Sequence, residues 1–369
     1  MAAGSPWSCE TALRLASLGN AVHVIDFAIP LSQTGSYIGV SDPVHAENVS
    51  RLAAAGVPVH LLSASHPRLR YLTAAPELAR ILKSTGAEVL LTLYSGGFAV
   101  LAMASMFRPF ACYVVGSDVL IPKRGLERWL SRRALSHASL VLANGEYLAE
   151  KTKEVAPAAN VVPLILGIDV ARFGPPKSAD GQVNVICTRG FLPVYNNESI
   201  ISAVAEMSDD VPPFNLTFVS SGPGLAAAVA LADEKIPRNT RGRVHFLGGV
   251  AREKLMELLR AADVYVSMSR SDGTSTALLE ALASGLFPVL SDIPQHREWL
   301  EGDNVILVPL DDVASLAAAI RTAVSDPARR ERARRVNRSL VKARADAEET
   351  GRRLSAMLNG LIPDRRLVA

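Results

Sequence analysis

The chain predicts an α/β protein with helices layered over parallel sheets, organised as two domains. Three observations carry this. Short β-rich runs alternate with helical patterns from one end to the other, as in strand–helix–strand units. A length of 369 residues exceeds what a single hydrophobic core usually serves. The stretch Phe173-Gly-Pro-Pro-Lys-Ser-Ala-Asp-Gly181 is polar and rich in proline and glycine, the composition of a connector.

In the first half the strand candidates are Val22–Phe27, Val57–Leu62, Glu88–Leu93, Phe110–Val115 and Leu140–Ala143. Cys9–Leu18, Pro76–Lys83 and Leu126–Ser136 carry helical spacing, and Gly19-Asn20 stops the first of them. A second series follows the connector: Val183–Thr188, Asn215–Ser220, Arg243–Leu247, Val264–Met268, Phe287–Ser291 and Val305–Val308. The basic tail Pro327–Met357 reads as a helix.

Hydrophobic residues make up 49% and charged residues 20% of the chain, the balance of a folded soluble protein. A net charge of +3 is too small to argue for nucleic acid, and the basic tail lacks the interleaved aromatics that stack on bases. Cys9, Cys112 and Cys187 lie far apart with no C-x-x-C pair, which suits small core residues in a reducing compartment. The longest apolar region, Phe98–Val115, is broken by Arg108-Pro109 and is no membrane span. No basic stretch leads into an apolar core at the start, so no secretory signal is expected. The expected location is cytoplasmic. The seven histidines are scattered without metal-ligand spacing, and no D-x-D motif occurs. They are expected at the surface or at caps, and no catalytic metal is expected.

The most specific stretch is Ser267-Met-Ser-Arg-Ser-Asp-Gly-Thr-Ser-Thr-Ala-Leu-Leu-Glu-Ala-Leu-Ala-Ser-Gly285. It reads as a buried strand, a polar turn and a helix that starts on small hydroxyl residues. Gly273, Thr274, Ser275 and Thr276 leave the first N–H groups of that helix uncrowded, which makes an anion site. The helix dipole adds about 0.3–1 kcal/mol there. Asp272 lies in the turn, and Glu280 lies on the helix where it can accept hydrogen bonds from the hydroxyls of an attached ribose. A phosphate cradle beside a carboxylate suggests a nucleotide-sugar site.

This D-x7-E segment resembles the E-x7-E donor motif of glycosyltransferase family 4. The resemblance continues through Phe287-Pro-Val-Leu-Ser291, His296-Arg-Glu-Trp-Leu300, Asn304-Val-Ile-Leu-Val-Pro309 and Asp312-Val-Ala-Ser-Leu316. Upstream it includes Gly116-Ser-Asp-Val-Leu-Ile-Pro122 and Gly167-Ile-Asp-Val-Ala-Arg-Phe173. It implies a GT-B fold of two Rossmann-like domains facing a cleft: an acceptor-side domain over 1–172, a donor-binding domain over 173–345, and a final helix over 346–369 crossing back to the first. Members of that family usually open on an apolar strand. This chain starts at Met1-Ala-Ala-Gly-Ser-Pro-Trp-Ser8, so the first strand of the N-terminal domain is expected to be missing or truncated. The implied activity is retaining, metal-independent transfer of a sugar from a UDP- or GDP-sugar to a hydroxyl of a glycan or lipid-linked acceptor. In that scheme the donor is a substrate, and no cofactor is needed. The implied setting is synthesis of cell-surface polysaccharide or glycoconjugates.

The resemblance also assigns residues. Asp272, Asp118 and Arg189 are the candidate catalytic residues. Glu280, Gly273, Thr274, Ser275, Thr276, Arg189, Tyr195, Asn196, Gly4 and Ser5 are the candidate donor-binding residues. Arg189 would neutralise the leaving diphosphate. The lysine that the family places in the same loop falls near Tyr195-Asn196, where this chain has none, and Val115 stands where many members have histidine. These departures keep open a second reading, a non-catalytic nucleotide-sugar or glycan-binding partner subunit of the same fold. For Asp118, contact with acceptor or sugar hydroxyls and a turn-capping role both stand. In Lys123-Arg-Gly-Leu-Glu-Arg-Trp-Leu-Ser-Arg-Arg133, the residues Leu126, Trp129, Leu130 and Leu135 are expected to share a face. That face would either pack on the core or rest peripherally on the inner surface of the cell membrane.

Overall fold

The computed structural model describes residues 6–27, 42–63, 70–174, 182–207, 212–237, 240 and 242–363. The chain divides into two compact units, Met1–Ile165 with Glu348–Ala369, and Leu166–Ala347. All their sheets are parallel.

The first unit carries β1 (Val24–Phe27) and β2 (Val59–Leu62) as one pair, and β3 (Leu90–Leu93), β4 (Phe110–Val114), β5 (Leu140–Ala143) and β6 (Val161–Pro163) as a separate sheet in chain order. Among the described residues no strand precedes the opening helix Pro6–Ser17. The core of the larger sheet is Phe110, Cys112, Val114, Leu135 and Val141. Strand β6 is absent from the sequence expectations. It has three residues and ends on Pro163, and a proline is tolerated at such a sheet edge. The helix Gly125–His137 buries Ser131, Ala134 and Leu135, while Leu126 and Trp129 are 69% and 56% exposed. The expected shared face of Leu126, Trp129, Leu130 and Leu135 is therefore corrected. Nine residues of α-helix turn Leu135 to the side opposite Leu126.

The second unit has β7 (Val183–Cys187), β8 (Phe214–Phe218), β9 (Val244–Phe246), β10 (Val264–Ser267), β11 (Phe287–Ser291) and β12 (Ile306–Val308). Their spatial order is β12-β11-β10-β7-β8-β9. Numbered within the unit, this is the doubly wound order 3-2-1-4-5-6, with a topological switch point between its first and fourth strands. Here those strands are β7 and β10, in register at Val185↔Val264. Apolar side chains on both faces explain the near-continuous hydrophobic runs. One core holds Val185, Cys187, Phe218, Phe287, Leu316 and Ile320. The rings of Phe218 and Phe246 stack at 5.0 Å.

The basic tail is not one helix. It breaks at Asp346 into Pro327–Ala345 and Ala347–Asn359. There Ile168 pairs with Asp346: its N–H donates to the Ala345 carbonyl, and its own carbonyl accepts from Ala347 N–H, each at 2.9 Å. Tertiary pairing ends a run that local propensity would have continued. Several arginines of the first segment donate to carbonyls. Arg338 reaches Phe173 O and Ala283 O, Arg330 reaches Ala323 O and Val324 O at 2.7 Å, and Arg344 reaches Glu298 O at 3.0 Å.

Candidate active site

In an open parallel sheet, ligands bind beyond the carboxyl ends of the strands at the switch point. Beyond β7 stands Arg189, and beyond β10 stands the turn that holds Asp272. The Nη2 of Arg189 lies 2.7 Å from Asp272 Oδ2, with both side chains largely buried. This is a close charge contact rather than a directed hydrogen bond, since Asp272 Oδ2 has no hydrogen-bond partner. Arg189 Nη1 donates to Ser275 Oγ at 2.7 Å, and the guanidinium lies 4.0 Å from the centre of the Tyr195 ring. Burial is the largest single influence and opposes its charge, but Asp272 together with Tyr265, Tyr195 and Cys187 outweighs it and holds Arg189 above the ordinary arginine range.

The helix Thr276–Ala283 begins here. Ser275 is its N-cap, accepting from Leu278 N–H at 3.4 Å. Thr274 Oγ1 accepts from Trp299 Nε1 at 3.3 Å, and the Arg344 guanidinium lies over the Trp299 ring, 4.3 Å from its centre. The turn is thus tied down by its own side chains. Gly273 is buried within it. Asn196 adopts the left-handed conformation at φ 51°, which asparagine tolerates better than most residues.

Several buried polar atoms around this turn have no hydrogen-bond partner among the described residues, among them Arg189 Nε, Thr276 Oγ1 and Asn196 Nδ2, and the acceptor Asp272 Oδ2. Buried polar groups are paired in the great majority of native structures. A cluster of orphans beside a helix start and a buried guanidinium matches the donors that a diphosphate needs.

Glu280 lies one turn into the helix and is 4% exposed. Its Oε1 is 2.6 Å from Arg252 Nη2. Burial raises its carboxyl above the ordinary range, against the lowering pull of Arg252 and, more weakly, Arg172.

The second unit therefore brings together Asp272, Gly273, Thr274, Ser275, Thr276, Arg189, Tyr195 and Asn196, with Glu280 farther along the same helix. Asp118 belongs to the first unit. Its carboxylate accepts from Ser95 N–H at 2.7 Å, Gly116 N–H at 3.0 Å and Val115 N–H at 3.1 Å. The backbone takes most of its acceptor capacity, so Asp118 ties the loops after β3 and β4. Gly4 and Ser5 lie outside the described residues.

Three contributors escape a reading of motifs. Asn197 is fully buried, and its Nδ2 donates to the carbonyls of Arg189 at 3.3 Å and Gly190 at 3.1 Å, which sets the arginine loop. Arg252 faces Glu280. His296 corrects the expectation of surface or capping histidines: it is 2% exposed, and its Nδ1 lies 2.7 Å from Ser291 O. Burial lowers its pKa, and the charges of Asp272 and Arg189 act on it in opposite directions. The only available sequence signal was its place in His296-Arg-Glu-Trp-Leu300. Among the described residues no cluster of side chains is arranged to hold a metal ion, and no helix is long and apolar enough to cross a membrane.

The fold and this site define a GT-B glycosyltransferase architecture, and the comparisons agree. Residues 183–326, within the second unit, match the family Glycosyl transferases group 1. The chain is 28% identical over 212 residues to the lipopolysaccharide core biosynthesis mannosyltransferase LpcC of Rhizobium leguminosarum bv. viciae, covering 54% of this chain and 60% of that one. It is 27% identical over 225 residues to glycogen synthase of Mycobacterium tuberculosis, covering 60% of this chain and 53% of that one. The matches thus span between about half and three-fifths of those relatives. Among solved structures, Anabaena HepE in complex with UDP-glucose superposes with a TM-score of 0.77 at 17% identity, over 98% of both chains. Sucrose-phosphate synthase of Thermosynechococcus elongatus superposes with a TM-score of 0.74 at 18% identity, over 95% of this chain and 92% of that one.

Proposed function

We propose that the protein is a retaining glycosyltransferase. It moves a sugar from a UDP- or GDP-sugar to a hydroxyl of a glycan or lipid-linked acceptor, in the synthesis of cell-surface polysaccharide or glycoconjugates. The observation that carries this reading is the set of unpartnered buried polar atoms around Arg189 and the start of the helix Thr276–Ala283. Arg189, Ser275, Thr276 and the first-turn N–H groups hold the diphosphate, while Glu280 accepts from the ribose hydroxyls. Asp272 gives up Arg189 to the phosphates and orients the sugar. Tyr195 and Asn196 complete the phosphate side in place of a lysine. As the bond from the anomeric carbon to the diphosphate oxygen breaks, the acceptor oxygen bonds to the same face of that carbon. The acceptor proton passes to the departing phosphate. Preorganised charge at the leaving group is the main protein contribution, and losing one such donor typically costs about 10²–10³ in turnover.

The helix Gly125–His137 supports peripheral contact with an anionic membrane. Leu126, Trp129 and the nearby Ile121 are exposed, and Arg124, Arg128, Arg132 and Arg133 are exposed around them. This combination suits an interface helix.

Titration with UDP- and GDP-sugars by calorimetry tests the donor site. Binding that falls at least about tenfold (1.4 kcal/mol) in Glu280→Gln supports it, and unchanged affinity in that variant refutes the ribose assignment. One observation favours the second reading, a non-catalytic partner subunit: no lysine joins Arg189 in the stretch Arg189–Asn197. Donor hydrolysis or transfer by the purified protein eliminates it.

A further inference from the structure

We propose that Arg252 is a positioning residue for the nucleotide, whose guanidinium fixes the charge and direction of the Glu280 carboxylate. This rests on the reading of Glu280 as the ribose acceptor. Glu280 is almost wholly inside the second unit, and the charged contact it makes is the one with Arg252. Arg252 is the first residue of the helix Arg252–Ala261. Its side chain is 41% exposed and lies 5.5 Å from the centre of the Phe173 ring. The guanidinium is therefore anchored at one end on a buried carboxylate and stacked on an aromatic ring, with its outer edge in solvent. Two ribose hydroxyls both donating to one carboxylate require it ionised, because a protonated carboxyl turns one acceptor into a donor.

The balance at Glu280 is between burial, which favours the neutral acid, and cations that favour the charge. The cations acting on it are Arg252, from the start of its helix, and more weakly Arg172, from the short turn Val170–Arg172. The nearby Arg338 on the helix Pro327–Ala345 is engaged with the carbonyls of Phe173 and Ala283. Removing Arg252 leaves burial opposed by Arg172 alone. Glu280 then takes up a proton at higher pH, and affinity for the nucleotide is lost as the pH falls through that point. The donor itself contributes no such slope, because each phosphate of a nucleoside diphosphate sugar keeps one negative charge across this range.

The test is calorimetric affinity for UDP-glucose, with GDP-mannose in parallel, from pH 7.5 to 5.5, for the wild type, Arg252→Gln, Arg252→Lys, Glu280→Gln and the double variant Arg252→Gln/Glu280→Gln. Arg252→Gln should begin to lose affinity at higher pH than the wild type, by up to about tenfold per pH unit once Glu280 begins to protonate. Arg252→Lys should restore the wild-type profile, because it returns the cation. The double variant should be as flat as Glu280→Gln alone. Equal pH profiles for Arg252→Gln and the wild type, with binding lost in Glu280→Gln, overturn the role of Arg252 and leave the ribose site standing. Full affinity in Glu280→Gln overturns the ribose site itself, and a wild type that binds neither sugar overturns both. Arg252 is partly in solvent, so its replacement leaves the core intact, and circular dichroism of each variant checks this.

Discussion

Arg189 and Asp272 reach each other from the carboxyl ends of β7 and β10, with 2.7 Å between Nη2 and Oδ2. Those strands flank the switch point of the second unit's sheet. The pair therefore stands where the doubly wound fold binds its ligands. A carboxylate facing a buried guanidinium occupies a position that a phosphate can take over, since both present oxygens that match its donors.

Replacing Asp272 with Asn keeps the shape and removes the charge. A buried guanidinium without its partner destabilises the fold by up to about 3 kcal/mol. The unfolding midpoint of Asp272→Asn should fall, and saturating UDP should recover part of the loss by returning negative charge to Arg189. A midpoint that ignores UDP would count against the diphosphate position.

Asn197 holds the arginine loop through two carbonyls. Asn197→Ala leaves both half-buried acceptors without that donor, at a cost of about 1–3 kcal/mol. The loosened loop should also weaken donor binding, so KM should rise alongside the loss of stability. Unchanged KM in a destabilised variant would confine Asn197 to a structural role.

His296 gives the second unit a pH dependence with a definite sign. Burial depresses its folded-state pKa below the ordinary 6.5, so the unfolded chain binds the proton first. Its contribution to stability is complete above about pH 6.5 and is lost as the pH falls toward the depressed folded value. Denaturant titrations from pH 8 to pH 5 should show stability declining toward acid, with a shallower decline in His296→Gln. Parallel slopes would assign the acid sensitivity elsewhere.

The exposed face of the helix Gly125–His137 should bind vesicles containing phosphatidylglycerol and not pure phosphatidylcholine. Each surface arginine near an anionic leaflet contributes about 1 kcal/mol. Flotation should be lost in Leu126→Ser/Trp129→Ala, and Arg128→Gln/Arg132→Gln should make it more sensitive to salt. Equal flotation of all variants would remove the membrane reading.

Apart from β6, the described strands were legible to within a residue or two because each is a short apolar run closed by polar or turn residues. Val264–Ser267 followed by the Ser275 cap is an example. The helix Thr276–Ala283 was legible for a related reason: the polar turn, the Ser275 cap and Glu280 sit within one local stretch, where chain spacing and spatial spacing agree. The partners of those residues were not legible. Arg252 meets Glu280, and Asn197 meets the carbonyls of Arg189 and Gly190, only through strand order and loop shape. The break at Asp346 depends on Ile168, far away in the chain.

What the sequence determined by itself is the alternation of strands and helices, and one capped helix start with a carboxylate a turn inside it. Both are set by short-range periodicity and capping chemistry. Only the tertiary structure decided which arginine each motif carboxylate faces, that His296 is buried, and that Leu126 and Trp129 point to solvent. Charge pairing and burial depend on which distant elements pack together, and local spacing carries no record of that.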